Sequence, residues 1–452
     1  MSHAYIAHAP EDLDTLLEVH EALRKAGIND WYPPADRNTV TKAELQQRTD
    51  EAFAMIVLVS GPAMRARDVR EDIERASSSG ITLIPYRIDR ARLSGLIRTR
   101  LAGDLKLDAS EPGALEALVG ETRRAYHRRC PVLAVMNLKG GVGKTTVASQ
   151  VFGTWQGETG KRVLLIDLDP QYNLTQVFFD MDMADACAAR DRSVISLFEK
   201  SRLHASGVPS PAADWTSLSV EPFSPTARRD LVHELLGPGG PDGRLDLVSG
   251  QFEISKYAFA TDADALSAIK SNFLAMIEHL RSQYDLIVFD TNPNATFLTK
   301  CCLEAADRVV APMHPDVYSL RGVRLLNQVI DEHIPQDRRP ALSVLFNSVG
   351  RQEQSTFEAD ARNGVYNAAA GFRLSGALMS AALPRSGHLA VRTAPEPETP
   401  PWRRLVIHHS RGGGLKQMRE ALRAVAAEVS KLHAGHLADG EAGVRAGAPE
   451  RQ

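Results

Sequence analysis

The 452-residue chain has little of what would place it in a special class. Its four cysteines, Cys130, Cys187, Cys301 and Cys302, fall in no metal-ligand or redox spacing, which argues against a disulfide scaffold or zinc ribbon. They read as packing residues suited to a reducing compartment. No apolar run approaches the roughly 18 residues of a membrane span, and the N-terminus lacks a signal-peptide core. The formal net charge is only −3, so there is no whole-chain attraction to nucleic acid or membrane and any basic site must be local. What remains is 43% apolar and 24% charged, the profile of an ordinary globular protein expected in the cytoplasm. Its length exceeds what one core usually serves, so two domains are expected.

The segment to about residue 127 alternates strands and helices: "AYIA", a helix over 12–26, "AMIVLVS" (54–60) and "ITLIPYRI" (81–88). That alternation predicts an α/β fold with a parallel sheet covered on both faces. "ETRRAYHRRCP" (121–131) marks a boundary, and a second α/β unit opens at once with "PVLAVMNL". Later strands are "KRVLLIDLD" (161–169), "YDLIVFD" (284–290), "RVVAPM" (308–313) and "ALSVLFNSV" (341–349). Residues 205–228 and 393–401 are rich in Pro, Ser and Ala and read as surface loops, the first an insertion. A last helix is expected over 415–433, followed by a small, polar, disordered tail over 434–452. The domains are thus 1–127 and 128–433.

The stretch "VMNLKGGVGKTT" (135–146) joins an apolar strand to a helix through a glycine turn. Backbone N–H groups gathered at a helix N-terminus make an anion site suited to a triphosphate. Gly140, Gly141 and Gly143 let the backbone approach the phosphates, with Val142 and Thr146 completing the loop; Lys144 would reach the β- and γ-phosphates and Thr145 would ligate Mg²⁺. The common loop has a glycine five residues before Gly143, where this chain has Leu138, so the match is to a variant. Lys139 is a second lysine that the ordinary loop does not require.

"KGGVGKTT" resembles the deviant Walker A motif of the ParA/MinD family, and the likeness continues through "RVLLIDLDPQYNLT", "YDLIVFDTNPN" and "AADRVVAPMHPDVYSLRGVRLL", over roughly 131–433. The resemblance implies a P-loop ATPase using ATP and Mg²⁺ that works as an ATP-dependent homodimer switching the positioning or partition of a cargo. Lys139 would then be the lysine that reaches the partner subunit's nucleotide. Asp169 matches the residue that positions the attacking water, Asp167 lies in the Mg²⁺ and phosphate region, Asp290 matches the carboxylate behind the Mg²⁺ water shell, and Asn347 matches an adenine contact. An activating partner protein is also implied. The chain departs from the family's D-x-P-P with Asp290-Thr291-Asn292-Pro293 in a loop that reports on the γ-phosphate.

Family dimers often bind non-specific DNA or membrane. The tail lacks a basic amphipathic helix, which disfavours membrane. Arg403, Arg404, His408, His409, Arg411, Lys416, Arg419 and Arg423 cluster toward the C-terminus and would neutralise DNA phosphates, or equally form the solvated face of the last helix.

Residues 3–90 resemble a TIR domain, through "HAYIAHAPEDLDTLLEVHEALRKAGINDWYPP", "AELQQRTDEAFAMIVLVS" and "VREDIERASSSGITLIPYRID". Many TIR domains cleave NAD⁺ with a glutamate on the helix after the third strand; others only self-associate. Here that position is Asp72, with Glu71 one residue earlier, and Ala7-His8 stands where Ser-Tyr or Ser-His is usual. A carboxylate one methylene shorter can lose of order a hundredfold in rate. Recruitment through TIR–TIR contacts is therefore the expected role, and NAD⁺ hydrolysis switched on by ATP-driven pairing, a defence-type effector, is the alternative.

Overall fold

The computed structural model describes residues 3–34, 36–78, 81–91, 93, 98, 101, 107–189, 192–199, 218, 220, 228–236, 243–281, 283–389, 400–409 and 412–439. The chain divides into two compact units, Met1–Arg129 and Cys130–Gln452. The break falls two residues beyond the expected 127 because the helix Ala114–Arg129 continues through the basic run. Among the described residues no helix is long and apolar enough to cross a membrane.

The first unit is a five-stranded parallel sheet of order β2-β1-β3-β4-β5, with β1 His3–Ala7, β2 Asp30–Trp31, β3 Ala52–Val59, β4 Thr82–Arg87 and β5 Leu107–Asp108. β3, "AFAMIVLV", is buried along its whole length because helices cover both faces, which is why it reads as a continuous apolar run. One face packs against the helices Leu13–Lys25 and Ala114–Arg129; the other takes Arg67–Ser78, whose inward stripe is Val69, Asp72, Ile73 and Ala76. An aspartate sits in an otherwise apolar stripe.

The second unit holds an eight-stranded sheet of order β13-β12-β11-β6-β10-β7-β9-β8. Its strands are β6 Val132–Val135, β7 Arg162–Leu168, β8 His233–Leu236, β9 Arg244–Val248, β10 Leu286–Thr291, β11 Arg308–Met313, β12 Ala341–Val349 and β13 Leu383–Pro384. All neighbours run parallel except β8 and β9. Only the longer, more apolar strands were expected; β8, β9 and β13 lie toward the sheet edges, and their short, interrupted patterns are weak signals. All four cysteines are buried thiols, as packing residues should be.

The first helix of this unit starts at Lys144, loosens into one wider turn over Val147–Val151, and ends at Thr159 with Gly160 in the left-handed conformation at φ 63°. The last helix is Leu415–Asp439, six residues longer than expected, because Ala434, His436, Leu437 and Ala438 continue it where the composition suggests a disordered tail. Residues 440–452 lie outside the described residues, as do the expected loop over 205–228, apart from Leu218, Val220 and Arg228, and 393–399.

Candidate nucleotide site

β6 lies between β10 and β11; the chain leaves its C-terminal end toward β7 on one side and returns later to β11 on the other, so this end is the switch point where open parallel sheets gather their ligand groups. Register brings the site residues together. Asp290 on β10 pairs with Val135 of β6 on one side and Asp167 of β7 on the other. The glycine loop follows β6 at the same edge, with Gly141 and Gly143 left-handed at φ 75° and 86°. Lys144 and Thr145 open the helix behind it.

Two residues from distant strands brace the loop. The amide of Asn347, at the end of β12, donates to Val142 O at 2.8 Å, and a methyl group at Gly143 would overlap that amide nitrogen. His314, beyond β11, lies with Nδ1 2.9 Å from Asn347 O and Nε2 3.4 Å from Gly141 O. Asn347, which the family resemblance assigns to an adenine contact, is buried and braces the loop through its bond to Val142 O. Asn137 adds a third brace: its amide donates to Pro312 O at 2.8 Å and its carbonyl oxygen accepts from Lys139 N at 3.0 Å. Neither Asn137 nor His314 stands out in the sequence, since their partners lie some 175 residues away.

Three carboxylates line the site in different states. Asp167 is fully buried; one oxygen accepts from Thr175 N and Thr175 Oγ1, both at 2.8 Å, and the other from Asp169 N at 3.2 Å. Asp169, 6% exposed, accepts from Gln171 N at 2.9 Å and Asn173 Nδ2 at 3.1 Å. Asp290 is fully buried and neither of its oxygens closes a hydrogen bond, although Thr145 is near enough to act on it. Burial first, and the neighbouring Asp167 second, push the Asp290 carboxyl well above the usual carboxylate range. Burial pushes the Asp167 carboxyl upward as well. Lys144 is 8% exposed; burial lowers its ammonium, against the opposing pull of Asp290 and Asp169.

An unpartnered buried carboxylate beside a helix-opening threonine suits a hard cation. Among the described residues no group of three or more His, Cys, Asp or Glu side chains converges as a complete metal site. Mg²⁺ fits that pattern, because it keeps several waters and takes one or two protein ligands plus substrate phosphates. Thr145 and Asp290 are the groups that suit it; Asp167 spends its oxygens on the loop after β7.

Lys139 is engaged by the helix that follows β11. Its Nζ lies 3.2 and 3.4 Å from the Asp316 oxygens and 3.0 Å from Ser319 Oγ. Asp316 caps the helix Val317–His333, accepting from Ser319 N at 2.7 Å. Burial alone would raise the Asp316 carboxyl, but the Ser319 amide and hydroxyl and the Lys139 ammonium hold it below the usual range. The sequence signal for this cap is "DVYS", an aspartate three residues before a serine at a helix start.

The C-terminal basic residues are only partly free. Arg423 pairs with Glu158 at 2.8 Å, and Arg419 donates to Val406 O and His409 O. Arg403 lies over the Trp402 ring, and Arg403 and Lys416 are exposed. Arg404 is part-buried, and Arg411 lies outside the described residues.

In the first unit Asp72 is fully buried. Arg37 grips it with two hydrogen bonds, at 3.1 and 2.9 Å, and Arg75 donates to it from one turn along the same helix. Burial, then the Asp72 charge, raise the phenol of neighbouring Tyr5. Glu71 faces outward and pairs with Arg67 at 2.8 Å.

The family model described as an AAA domain matches residues 130–214 and 241–344, both within the second unit. The chromosome-partitioning ATPase Soj of Thermus thermophilus is 32% identical over 46% of this chain and 64% of its own length. The chromosome partitioning protein ParA of Caulobacter vibrioides is 29% identical over 47% of this chain and 66% of its own length. A putative replication protein A of Sinorhizobium fredii is 29% identical over 49% of this chain and 48% of its own length. The chain therefore spans about half to two thirds of the length of these curated relatives. Among solved structures, that of pNOB8 ParA aligns with 69% of this chain and 99% of its own at 21% identity and a TM-score of 0.47.

Proposed function

We propose, from the premise that the second unit is a P-loop ATPase domain related to the ParA/MinD family, that this chain is an Mg²⁺-dependent ATP hydrolase working in pairs. The single observation that carries the reading is the meeting, at one sheet edge, of a braced glycine loop, the buried Lys144 and the unpartnered carboxylate of Asp290.

The loop amides and Lys144 would receive the β- and γ-phosphates, and the braces at Asn137, His314 and Asn347 keep those amides aimed before the ligand arrives. Thr145 and Asp290 would hold Mg²⁺, which when bound would supply charge neutralisation at the transferring phosphate. Asp169 orients the water that attacks the γ-phosphorus; the bond to the β–γ bridging oxygen breaks, leaving ADP and inorganic phosphate. Lys139, part-exposed in the loop, is the cation a second copy would meet. As in the deviant Walker A pattern, it would stabilise charge on the partner's transferring phosphoryl group. Pairing on ATP and release on hydrolysis would make the unit a switch for positioning or partition of a cargo, with an activating partner protein and non-specific DNA as the expected contacts.

For the first unit, recruitment or self-association of a TIR-like module is the better-supported role. The Asp72 carboxylate is engaged by two arginines and sealed from solvent, which supports an ion-pair lock within the unit over an NAD⁺-cleaving acid. The test of the whole reading is ATP turnover per chain as a function of chain concentration. The parent should accelerate as pairs form. Lys144→Ala should lose nucleotide binding, and Lys139→Ala should bind ATP yet neither pair nor hydrolyse. A rate per chain independent of concentration, unchanged in Lys139→Ala, would refute it.

A further inference from the structure

We propose that Asp316 and Ser319 hold Lys139 in cis, and that giving up this contact sets the chain concentration at which ATP-loaded copies pair; the inference rests on the reading that Lys139 serves a second copy.

The geometry is of a side chain stowed while its backbone is fixed. Asn137 Oδ1 holds the Lys139 amide at 3.0 Å, and Lys144 Nζ lies 3.4 Å from the Lys139 carbonyl oxygen. The helix carrying Asp316 and Ser319 comes in close because residue 322 is glycine: a methyl group there would overlap Asn137 Oδ1 and come within 3.1 Å of Lys139 Cβ. On that platform the Lys139 ammonium meets both Asp316 oxygens and the Ser319 hydroxyl. Tyr318, 71% exposed, lies beside it with its ring centroid 5.9 Å from Nζ.

An ammonium has three hydrogens, and the cis contacts engage those facing the helix. The same Nζ cannot stay on Asp316 and also reach a phosphate in another molecule. The stowed and deployed arrangements exclude each other, and the apparent pairing constant is weakened by the fraction of chains that are stowed. The Lys139 and Asp316 side chains are 32% and 36% exposed, so solvent screens the contact. A bias of about fivefold is the scale expected of a charge-assisted contact in that setting. Asp316 is in this sense a positioning residue, acting on the reaction only through Lys139.

The experiment separates this from a structural role. Asp316→Asn keeps a good helix cap, since asparagine accepts from the Ser319 amide as aspartate does, but removes the negative charge that holds Lys139. Ser319→Ala removes the hydroxyl contact by an independent route. With the full chain, saturating ATP and Mg²⁺, the chain concentration giving half-maximal phosphate release per chain, and the mass by light scattering, are measured for the parent and both variants. The expected result is a half-maximal concentration about fivefold lower in Asp316→Asn and lower, by a smaller factor, in Ser319→Ala, each with a melting temperature within a few degrees of the parent's. An unchanged or raised half-maximal concentration in both variants overturns the proposal, because Asp316 then either leaves Lys139 alone or positions it for the partner. Lys139→Ala run alongside tests the underlying reading: if it pairs and hydrolyses as the parent does, action on a second copy fails, whatever the Asp316 variant shows.

Discussion

Replacing Asp290 with asparagine should make the unloaded protein more stable and the loaded protein less so. In the ligand-free fold this carboxylate is fully buried, neither oxygen has a hydrogen bond, and Asp167 sits beside it in register on β7. A neutral amide of the same shape removes the cost of burying charge but leaves its own polar atoms poorly paired, so the net gain is about 1–3 kcal/mol. At roughly 2 °C per kcal/mol for a large unit, the melting transition of the second unit should rise by about 2–6 °C. With Mg²⁺ and ATP at about 1,000 times the dissociation constant, the parent gains about 4.1 kcal/mol, and the variant, missing its cation-holding group, gains little of it. The order of stabilities should therefore invert. Calorimetry of the full chain, with and without Mg²⁺-ATP, reads both halves. A variant less stable than the parent without ligand, yet stabilised equally by it, would refute the assignment of Asp290 as a carboxylate kept for a cation.

Gly143→Ala should weaken ATP binding at least tenfold by titration calorimetry, because a side chain at φ 86° is strained and displaces the Asn347 amide from Val142 O. Asp72→Ala should destabilise the first unit by about 2–4 kcal/mol in a urea melt, since the part-buried Arg37 and Arg75 would be left without their acceptor; a near-neutral effect would return Asp72 to the candidate catalytic groups. His233, His279 and His408 are held below the usual imidazole range, chiefly by burial. Their folded values lie under the unfolded value of about 6.5, so the stability they contribute is present above that pH and lost as pH falls toward the folded values; urea midpoints should drop below pH 6.5, and less steeply in His233→Asn. Arg403→Glu with Lys416→Glu should weaken binding to non-specific duplex DNA and flatten its salt dependence, by about one unit of slope for each phosphate no longer neutralised.

What is legible in the sequence follows from how far apart the partners lie. The glycine loop is readable because strand, turn, lysine and helix are consecutive, and the long buried strands β3, β7 and β10 announce themselves as unbroken apolar runs. The inward turn of Asp72 is in principle readable too, since it falls in step with Val69, Ile73 and Ala76, although the same residue also matches a catalytic position. The roles of Asn347, His314 and Asp316 are not readable, because each acts on the loop from strand or helix ends some 170 to 210 residues downstream. This separation bears on function. A loop lysine whose resting partner sits on the helix after β11 is sensitive to that helix, and Tyr318 and Leu325 of the same helix are exposed. Whatever draws that helix, a second copy above all, would act on Lys139 without touching the nucleotide. On the proposed reading, the second lysine of the loop has its restraint on the element that a pairing surface at this edge would engage, so that release and pairing would be a single event.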